Sequence, residues 1–384
     1  MLAAQLDSTL FDVTIYEKNF APGRKFLVAG DGGFNLTHSE DLTDFIGRYS
    51  PDGFIEPYLQ SFTNADFREW LLKIGISTFV GSSKRVFPEK GIKPVQVLNA
   101  ILDVLKKKKV ILKTLHHWQG WNSDGELLFV HKENEIKVNP DLVVFALGGG
   151  SWAKTGSDGQ WLNLFAEKEI NILPFQPSNC AVKVDWNSKF IEVAEGKALK
   201  NIEVKCGTKS KAGEIVITRF GLEGGAVYAL SPEIRKQLRE NGTATLYFDL
   251  KPSLSMEKIH AHLSEKGIKS LSKVLKDKLK FGDVQLALLN SILTKEEFIS
   301  PPTLSERIKN LPILISGLAP LDEAISSVGG IPLDEVDENF ELKKLPNHFA
   351  IGEMLNWDAP TGGYLLQGCF SMGYFLGKRL NKAL

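Results

Sequence analysis

The chain has few cysteines and no excess of either charge. Its 384 residues include three cysteines, and Lys+Arg and Asp+Glu number 46 each. An odd, widely spaced set of cysteines favours a reducing compartment, so we predict a cytoplasmic protein. No metal-ligand spacing joins these cysteines to the histidines, and no metal site is expected. Zero formal net charge gives no general attraction to nucleic acid or membrane, so neither is expected as a partner.

Long apolar runs and internal repeats are also missing. No run reaches the roughly 18 apolar residues that a membrane-spanning helix needs. The first residues lack the basic segment and apolar core of a signal peptide. Leu2, Leu6 and Leu10 are instead spaced four apart, which predicts one buried face of a helix. With 43% hydrophobic and 24% charged residues, the composition is that of a globular protein with two or three domains.

The residue pattern changes along the chain. Up to residue 175 it mixes predicted helices, over 54–75 and 94–109, with short strands and a buried parallel strand in "DLVVFALGGG". Residues 176–252 are mostly strand-like, and 253–312 are helical and rich in lysine. Strand-like runs return over 313–333. Residues 334–384 end in an apolar segment of helix length, so the whole chain is α/β in organisation.

The stretch "DVTIYEKN" is a short strand that ends in Glu17. In a dinucleotide-binding fold, an acid at this strand end accepts the ribose hydroxyls, and a glycine fingerprint lies roughly 20 residues upstream. Only sixteen residues precede Glu17, and none is glycine. The stretch by itself fits a nucleotide site without its phosphate loop or a strand that happens to end in Glu.

Three glycine-containing turns follow apolar runs, in "YEKNFAPGRK", "FALGGGSW" and "FAIGEM…APTGGYLLQ". Each alone is common at strand-to-helix turns, but together they fit a site beyond the carboxyl ends of parallel strands. "AGDGGFNLTHSE" adds His38, which is either a catalytic group or a structural hydrogen-bonding group, and Asn35 and Thr37, which are either ligands or helix caps. A helix starting near Tyr364 directs its amides at phosphate or at a ring that becomes anionic on reduction, such as flavin.

Four segments together resemble the HI0933-like flavoproteins. They are "EKNFAPGRKFLVAGDGGFNLTHSE", "LGGGSWAKTGSDG", "EAISSVGG" and "FAIGEMLNWDAPTGGYLLQGCFSMGY". "THSE" and "PSNC" are similar to a bacterial branch of that family. The resemblance covers almost the whole chain.

The resemblance implies a cytoplasmic FAD-dependent oxidoreductase of the glutathione-reductase-like class. A Rossmann-like FAD-binding domain would comprise 1–175 and 334–384, with a β-barrel-like domain (176–252 and 313–333) and a small helical domain (253–312) inserted. Electrons would pass through flavin between a small organic substrate and NAD(P)H or oxygen. The alternative is a non-catalytic or cofactor-free nucleotide-binding or scaffold protein.

Site residues follow from the resemblance by position. Glu17 would hold the adenosine ribose, Arg24 and Lys25 would lie along the cofactor, and His38 is the catalytic candidate. Cys180 is a weaker one, because no second cysteine is near in sequence. The remaining predicted cofactor-binding residues are Gly32, Gly33, Asn35, Thr37, Ala146, Leu147, Gly148, Gly149, Gly352, Glu353, Gly362, Gly363, Tyr364 and Leu366.

The chain departs from the family pattern at its front. The family carries a strand and G-x-G-x-x-G before its first helix, whereas "MLAAQL" resembles the inside of that helix. We favour the explanation that the sequence starts at an internal methionine of a longer protein. The alternative is a short gene product, for which the resemblance implies poor or absent FAD affinity because the glycines that cradle the pyrophosphate are missing.

Overall fold

The computed structural model describes residues 1–28, 34–265 and 270–383. These residues form two compact units. The first unit comprises Met1–Gln176 and Ile325–Leu384, and the second comprises Pro177–Ala324. Within the described ranges, no helix combines the length and the apolar character needed to cross a membrane.

Sixteen α-helices and nineteen strands are seen in these ranges. The helices are α1 Leu2–Gln5, α2 Arg24–Val28, α3 Leu42–Ile46, α4 Glu56–Ser61, α5 Asn64–Lys73, α6 Pro94–Lys107, α7 Leu162–Ala166, α8 Ser188–Ala194, α9 Gly225–Tyr228, α10 Ser231–Asn241, α11 Met256–Leu263, α12 Leu271–Asp277, α13 Asp283–Ile292, α14 Lys295–Ile299, α15 Pro301–Lys309 and α16 Tyr364–Ala383. The strands are β1 Thr14–Tyr16, β2 Thr37–His38, β3 Thr78–Val80, β4 Arg85–Pro88, β5 Ile111–Lys113, β6 His117–Trp121, β7 Leu127–His131, β8 Asn134–Val138, β9 Val143–Phe145, β10 Leu173–Ser178, β11 Val182–Lys183, β12 Ala198–Cys206, β13 Lys209–Ile217, β14 Gly221–Glu223, β15 Ala244–Asp249, β16 Leu311–Ile315, β17 Gly317–Leu318, β18 Ser326–Gly330 and β19 His348–Ala350.

Two pairs of parallel strands organise the first unit. β1 pairs with β5, and β9 pairs with β19. Glu17 directly follows β1, the glycines 148–150 follow β9, and Gly352 follows β19. The carboxyl ends of parallel strands are where open α/β sheets bind ligands. The predicted glycine turns therefore stand at the strand ends that can carry a site.

Helix α16 runs through the core of the first unit. Its buried residues include Tyr364, Gln367, Gly368 and Met372. A side chain at Gly368 would place its Cβ 2.9 Å from the Trp357 ring. Glycine therefore lets this helix approach a large aromatic side chain that is itself only 2% exposed.

Two helix predictions need correction. The helix predicted over 54–75 is two helices, α4 and α5, because Thr63 caps the second one: its Oγ1 accepts the Asp66 N–H at 3.1 Å, and Asp66 accepts the Thr63 N–H at 2.8 Å. The face predicted from Leu2, Leu6 and Leu10 is also wrong. Helix α1 ends at Gln5, and Leu10 is 48% exposed, because Asp7 accepts the Thr9 N–H at 2.9 Å and turns the chain.

The second unit combines a sheet with helices. Seven strands pair in the order β16-β15-β12-β13-β14-β11-β17, with every strand pair antiparallel. The strand-like pattern of 176–252 corresponds to β11–β15, and the helical pattern of 253–312 corresponds to α11–α15. One apolar core includes Phe248 in the sheet and Leu289 in α13, both 0% exposed. The division of this unit into a β-barrel-like and a helical domain stays a prediction.

Candidate functional site

Glu17 is held at the end of β1 by the turn that follows it. Its Oε1 accepts the Asn19 backbone N–H at 2.7 Å and the Asn19 side-chain amide at 2.8 Å. Arg24 donates to the Asn19 Oδ1 at 3.1 Å. The Glu17 Oε2 accepts no hydrogen bond from the described part of the chain. One carboxylate oxygen thus orients the Glu17 side chain, and the residue is partly exposed.

The turn after β9 is tied to the same region. Gly156 has φ +101°, which favours glycine, and a Cβ there would lie 2.6 Å from the Asn19 side-chain amide nitrogen. Ser157 donates to the Gly149 carbonyl at 2.9 Å, and Lys18 pairs with Asp158 at 2.9 Å. The segment 156–158 therefore joins the Glu17 turn to the glycines 148–150.

Lys25 connects the glycine turn with the segment after β19. Its Nζ donates to the Ser151 Oγ at 3.0 Å and lies 3.3 Å from the Glu353 carboxylate. A Cβ at Gly149 would lie 3.8 Å from the Glu353 carbonyl and 2.1 Å from the Ser327 Oγ. Residues from three distant parts of the sequence meet here.

The start of α16 packs on strand β2. Gly363 has φ +94°, and a Cβ there would come within 2.6 Å of the Thr37 Cα and 2.9 Å of the Asn35 amide nitrogen. Thr37 donates to the Gln367 Oε1 at 2.8 Å. The predicted residues of "NLT" and of "PTGGY" are therefore in direct contact.

His38 is enclosed in a hydrogen-bonded and stacked arrangement. Its Nε2 lies 3.1 Å from the Ser83 carbonyl, and its Nδ1 lies 3.3 Å from the Glu40 N–H. This pattern matches a neutral ring with the proton on Nε2. The ring stacks on Tyr364, with centroids 5.2 Å apart. Burial lowers the pKa of His38, although Glu40 partly opposes this. The geometry suits a structural hydrogen-bonding group better than a proton donor.

A buried carboxylate lies beside His38. The Glu40 side chain is 6% exposed, accepts the Tyr364 hydroxyl at 2.5 Å and receives two hydrogen bonds from Arg48, the shorter at 2.8 Å. Burial alone would raise the pKa of Glu40, but the Arg48 and Tyr364 hydrogen bonds hold that pKa below its usual value. Burial, and then the bond to Glu40, raise the pKa of Tyr364, so its hydroxyl stays protonated.

Some predicted residues lie apart from these contacts or outside the described ranges. Gly32 and Gly33 are outside the described residues. Ala146 is exposed, Leu147 packs against the core of the first unit, and Leu366 packs against a second apolar cluster around Phe67. The roles of all the predicted site residues stay predictions, including that of Tyr364 in binding the cofactor.

Sequence reasoning missed several residues that hold the site together. Asn19, Ser151, Ser327, Glu40, Arg48 and Gln367 are the principal ones. Glu40 is the last residue of "THSE", but no local pattern relates it to Arg48 or Tyr364.

Burial, and then Glu353, raise the pKa of Cys369 to about 12, so its thiol stays protonated. Within the described ranges, no cluster of three or more His, Cys, Asp or Glu could hold a metal ion.

Comparison with known proteins gives a family match and distant relatives. The model described as HI0933-like protein Rossmann domain matches residues 1–379. This match confirms the resemblance and the predicted Rossmann-like α/β fold class.

Two relatives align over nearly the whole chain. A ribosomal RNA dihydrouridine synthase from Haemophilus influenzae is 23% identical over 97% of this chain and 93% of that protein. A 3-dehydro-bile acid delta(4,6)-reductase from Clostridium scindens is 23% identical over 95% of this chain and 92% of that protein. A solved 3-ketosteroid-delta4-(5alpha)-dehydrogenase from Rhodococcus jostii RHA1 gives a TM-score of 0.49 at 13% identity, over 99% of this chain and 93% of that chain, which is too low to support a functional conclusion.

Proposed function

The chain belongs to the HI0933-like family, and on this premise we propose that it is an FAD-dependent reductase of a small organic substrate, with NAD(P)H as electron donor. The observation that carries the proposal is a set of three contacts at the strand ends and at the start of α16. Asn19 links Glu17 with Arg24, Lys25 links Ser151 with Glu353, and Gly363 packs on Thr37. An elongated dinucleotide cofactor fits such a set better than a compact ligand does.

The residues in these contacts fit successive parts of FAD, from the adenosine ribose to the pyrophosphate. Glu17 keeps one oxygen for a ribose hydroxyl. Arg24 and Lys25, the latter also paired with Glu353, are the cations that would balance the pyrophosphate charge. Gly148 has φ +77°, and a Cβ there would meet nothing nearer than the Ser157 Oγ at 3.8 Å, so a ligand can approach its backbone.

The start of α16 fits the flavin end of the cofactor. The first amides of this twenty-residue helix have no partner within the helix, and they favour a group that gains negative charge. When bound, FAD would supply the two-electron chemistry. The chain's own task is to orient the ligand: Gly363 lets β2 and α16 meet, and the neutral His38 ring stacks against Tyr364 rather than carrying charge into the site.

The reducing direction is supported by the names of the relatives. One is named a bile acid delta(4,6)-reductase, and the other makes dihydrouridine, which is uridine with one carbon–carbon double bond reduced. We therefore propose a carbon–carbon double bond conjugated to a carbonyl group as the bond that this chain reduces.

The first test is the visible spectrum of the purified chain after incubation with FAD and gel filtration. We expect a co-eluting flavin band that bleaches on anaerobic addition of NADH or NADPH. Glu17→Gln should weaken FAD binding about ten-fold, because it removes a charge-assisted hydrogen bond. The control variant Glu135→Gln changes an exposed residue on β8 and should bind FAD as the unaltered chain does.

Two results would count against the proposal. A chain that stays colourless after FAD addition would favour the cofactor-free scaffold alternative. A flavin that bleaches with NAD(P)H but passes electrons only to oxygen, at a rate that no unsaturated carbonyl compound changes, would favour an oxidase.

A uracil base in ribosomal RNA is a second candidate substrate, which the dihydrouridine synthase name favours. Zero net charge predicts no general affinity for RNA, but it does not bear on recognition by one site. Mass spectrometry of nucleosides from ribosomal RNA, with and without the gene, tests this candidate. Loss of dihydrouridine in the deletion strain, restored by the gene, would favour RNA over a small molecule.

A further inference from the structure

Arg85 lies on the same sheet face as His38. Strand β4 pairs antiparallel with β2, and Arg85 is directly opposite His38 in that pair. Side chains of directly opposed residues point to the same face of a sheet. Since the His38 ring stacks on Tyr364, the Arg85 side chain starts beside the beginning of α16.

The Arg85 side chain reaches the turn that precedes α16. A Cβ added at Gly362 would lie 3.5 Å from the Arg85 Nε, and Gly362 has φ +123°. The guanidinium therefore lies against a turn that "PTGG" keeps free of side chains. Arg85 is partly exposed, so a ligand can reach it.

Among the residues that the structure describes, Arg85 has no partner of the kind that the other arginines of the first unit have. Arg24 donates to Asn19, Arg48 to Glu40, and Arg68 to Thr78, while Arg379 lies over the Phe375 ring. Within the described ranges, the Arg85 guanidinium makes no hydrogen bond or ion pair comparable to those of Arg24, Arg48 and Arg68. His38 and Tyr364 are titratable groups beside Arg85, and the Arg85 charge is a minor cause, after burial, of the lowered pKa of His38. A histidine ring is either neutral or cationic, so His38 is no counter-ion for Arg85.

We propose that Arg85 binds a carboxylate group of the substrate beside the flavin end of the site. A guanidinium offers two parallel N–H donors that match the two oxygens of a carboxylate. An arginine that has no acidic partner among the described residues, next to a glycine turn, presents such a fork to a ligand. This inference rests on the proposed function for the identity of the ligand as substrate, and it narrows that substrate to an anionic carboxylic acid.

The test measures binding of sodium benzoate and of neutral benzamide by calorimetry, with FAD-free and FAD-supplemented chain. We expect benzoate to bind more tightly than benzamide and to lose affinity at high salt. Arg85→Gln should weaken benzoate binding about ten-fold or more, because a charge-assisted pair of hydrogen bonds is lost. The benzoate affinity of Arg85→Lys should fall between those of the unaltered chain and of Arg85→Gln, since lysine keeps the charge but not the two parallel N–H donors.

Arg68→Gln is the matched control, because it removes an equal charge from the same unit. It should bind benzoate as the unaltered chain does. Equal affinity for benzoate and benzamide, no benzoate binding, or an equal loss in Arg68→Gln would overturn the inference. Loss of FAD binding in Arg85→Gln would also overturn it, by assigning Arg85 to the cofactor. If FAD fails to bind but benzoate still binds through Arg85, the flavin function fails while the carboxylate site stands.

Discussion

At the scale of single residues, the Glu40 carboxylate in the first unit is almost fully enclosed, with 6% of its side chain exposed. Glu40 is paired with Arg48 and bonded to Tyr364, the first residue of α16. Burying a charge is costly unless its partners are all present. Glu40 therefore stabilises the start of α16 only while Arg48 and Tyr364 keep these contacts.

Replacing Glu40 by glutamine should be clearly destabilising. The Glu40→Gln side chain keeps its shape but leaves Arg48 without a carboxylate, and we expect the free energy of unfolding to fall by about 2 kcal/mol. Urea denaturation followed by circular dichroism measures this. Glu69→Gln removes the acid of an exposed pair with Lys73, in which the Glu69 side chain is 63% exposed, and should change stability by about 0.5 kcal/mol or less. Equal effects of the two substitutions would contradict the assigned role of Glu40.

His38 should make stability depend on pH. Its pKa in the folded chain is below the ordinary value of 6.5, mainly because of burial. The unfolded chain therefore binds this proton more readily, and stability is complete above the ordinary pKa and falls as the pH drops through it.

Urea midpoints at pH 7.5 and 5.5 measure this dependence. His38→Gln should reduce the difference between the two midpoints, whereas His117→Gln, at an exposed position on β6, should leave it as in the unaltered chain. An unchanged difference in His38→Gln would show that other groups cause the pH dependence.

At the scale of elements, the junction of β2 with α16 decides whether the start of α16 can form. Gly363→Ala would combine a positive φ with a Cβ 2.6 Å from the Thr37 backbone. We expect it to cost about 3 kcal/mol, since strain and overpacking add. Gly75→Ala has a similar φ of +86° but nothing within 4 Å, and should cost about 1 kcal/mol. Similar losses of stability in the two variants would mean that the close approach at Thr37 is unimportant.

The helices also show which local signals in the sequence were sufficient to predict where a helix begins and ends. Helix α6 was predicted over 94–109 and is observed over Pro94–Lys107, because proline at its start and lysines at its end are local signals. The break at Thr63 was missed, since an apolar period continued across it. A capping box with Asp66 outweighed that period.

At the scale of the whole molecule, the second unit is one continuous stretch of chain with its own core. All the predicted cofactor residues belong to the first unit, whose chain is in two segments. We therefore expect residues 177–324, expressed alone, to fold cooperatively and to bind no FAD. Circular dichroism during urea unfolding and FAD titration measure these outcomes. A fragment without a cooperative transition would show that its core depends on the rest of the chain.

The sequence by itself determined the family, the α/β class, the glycine turns and the apolar helix at the end of the chain. These rest on motifs and periodicities that span a few residues each. Only the tertiary structure decided that Tyr364 bonds to Glu40, 324 positions away, and that Arg85 lies against Gly362. Such contacts depend on how β2, β4 and α16 pack together. No local pattern carries that information, because a side chain's partner is set by the path of the whole chain between them.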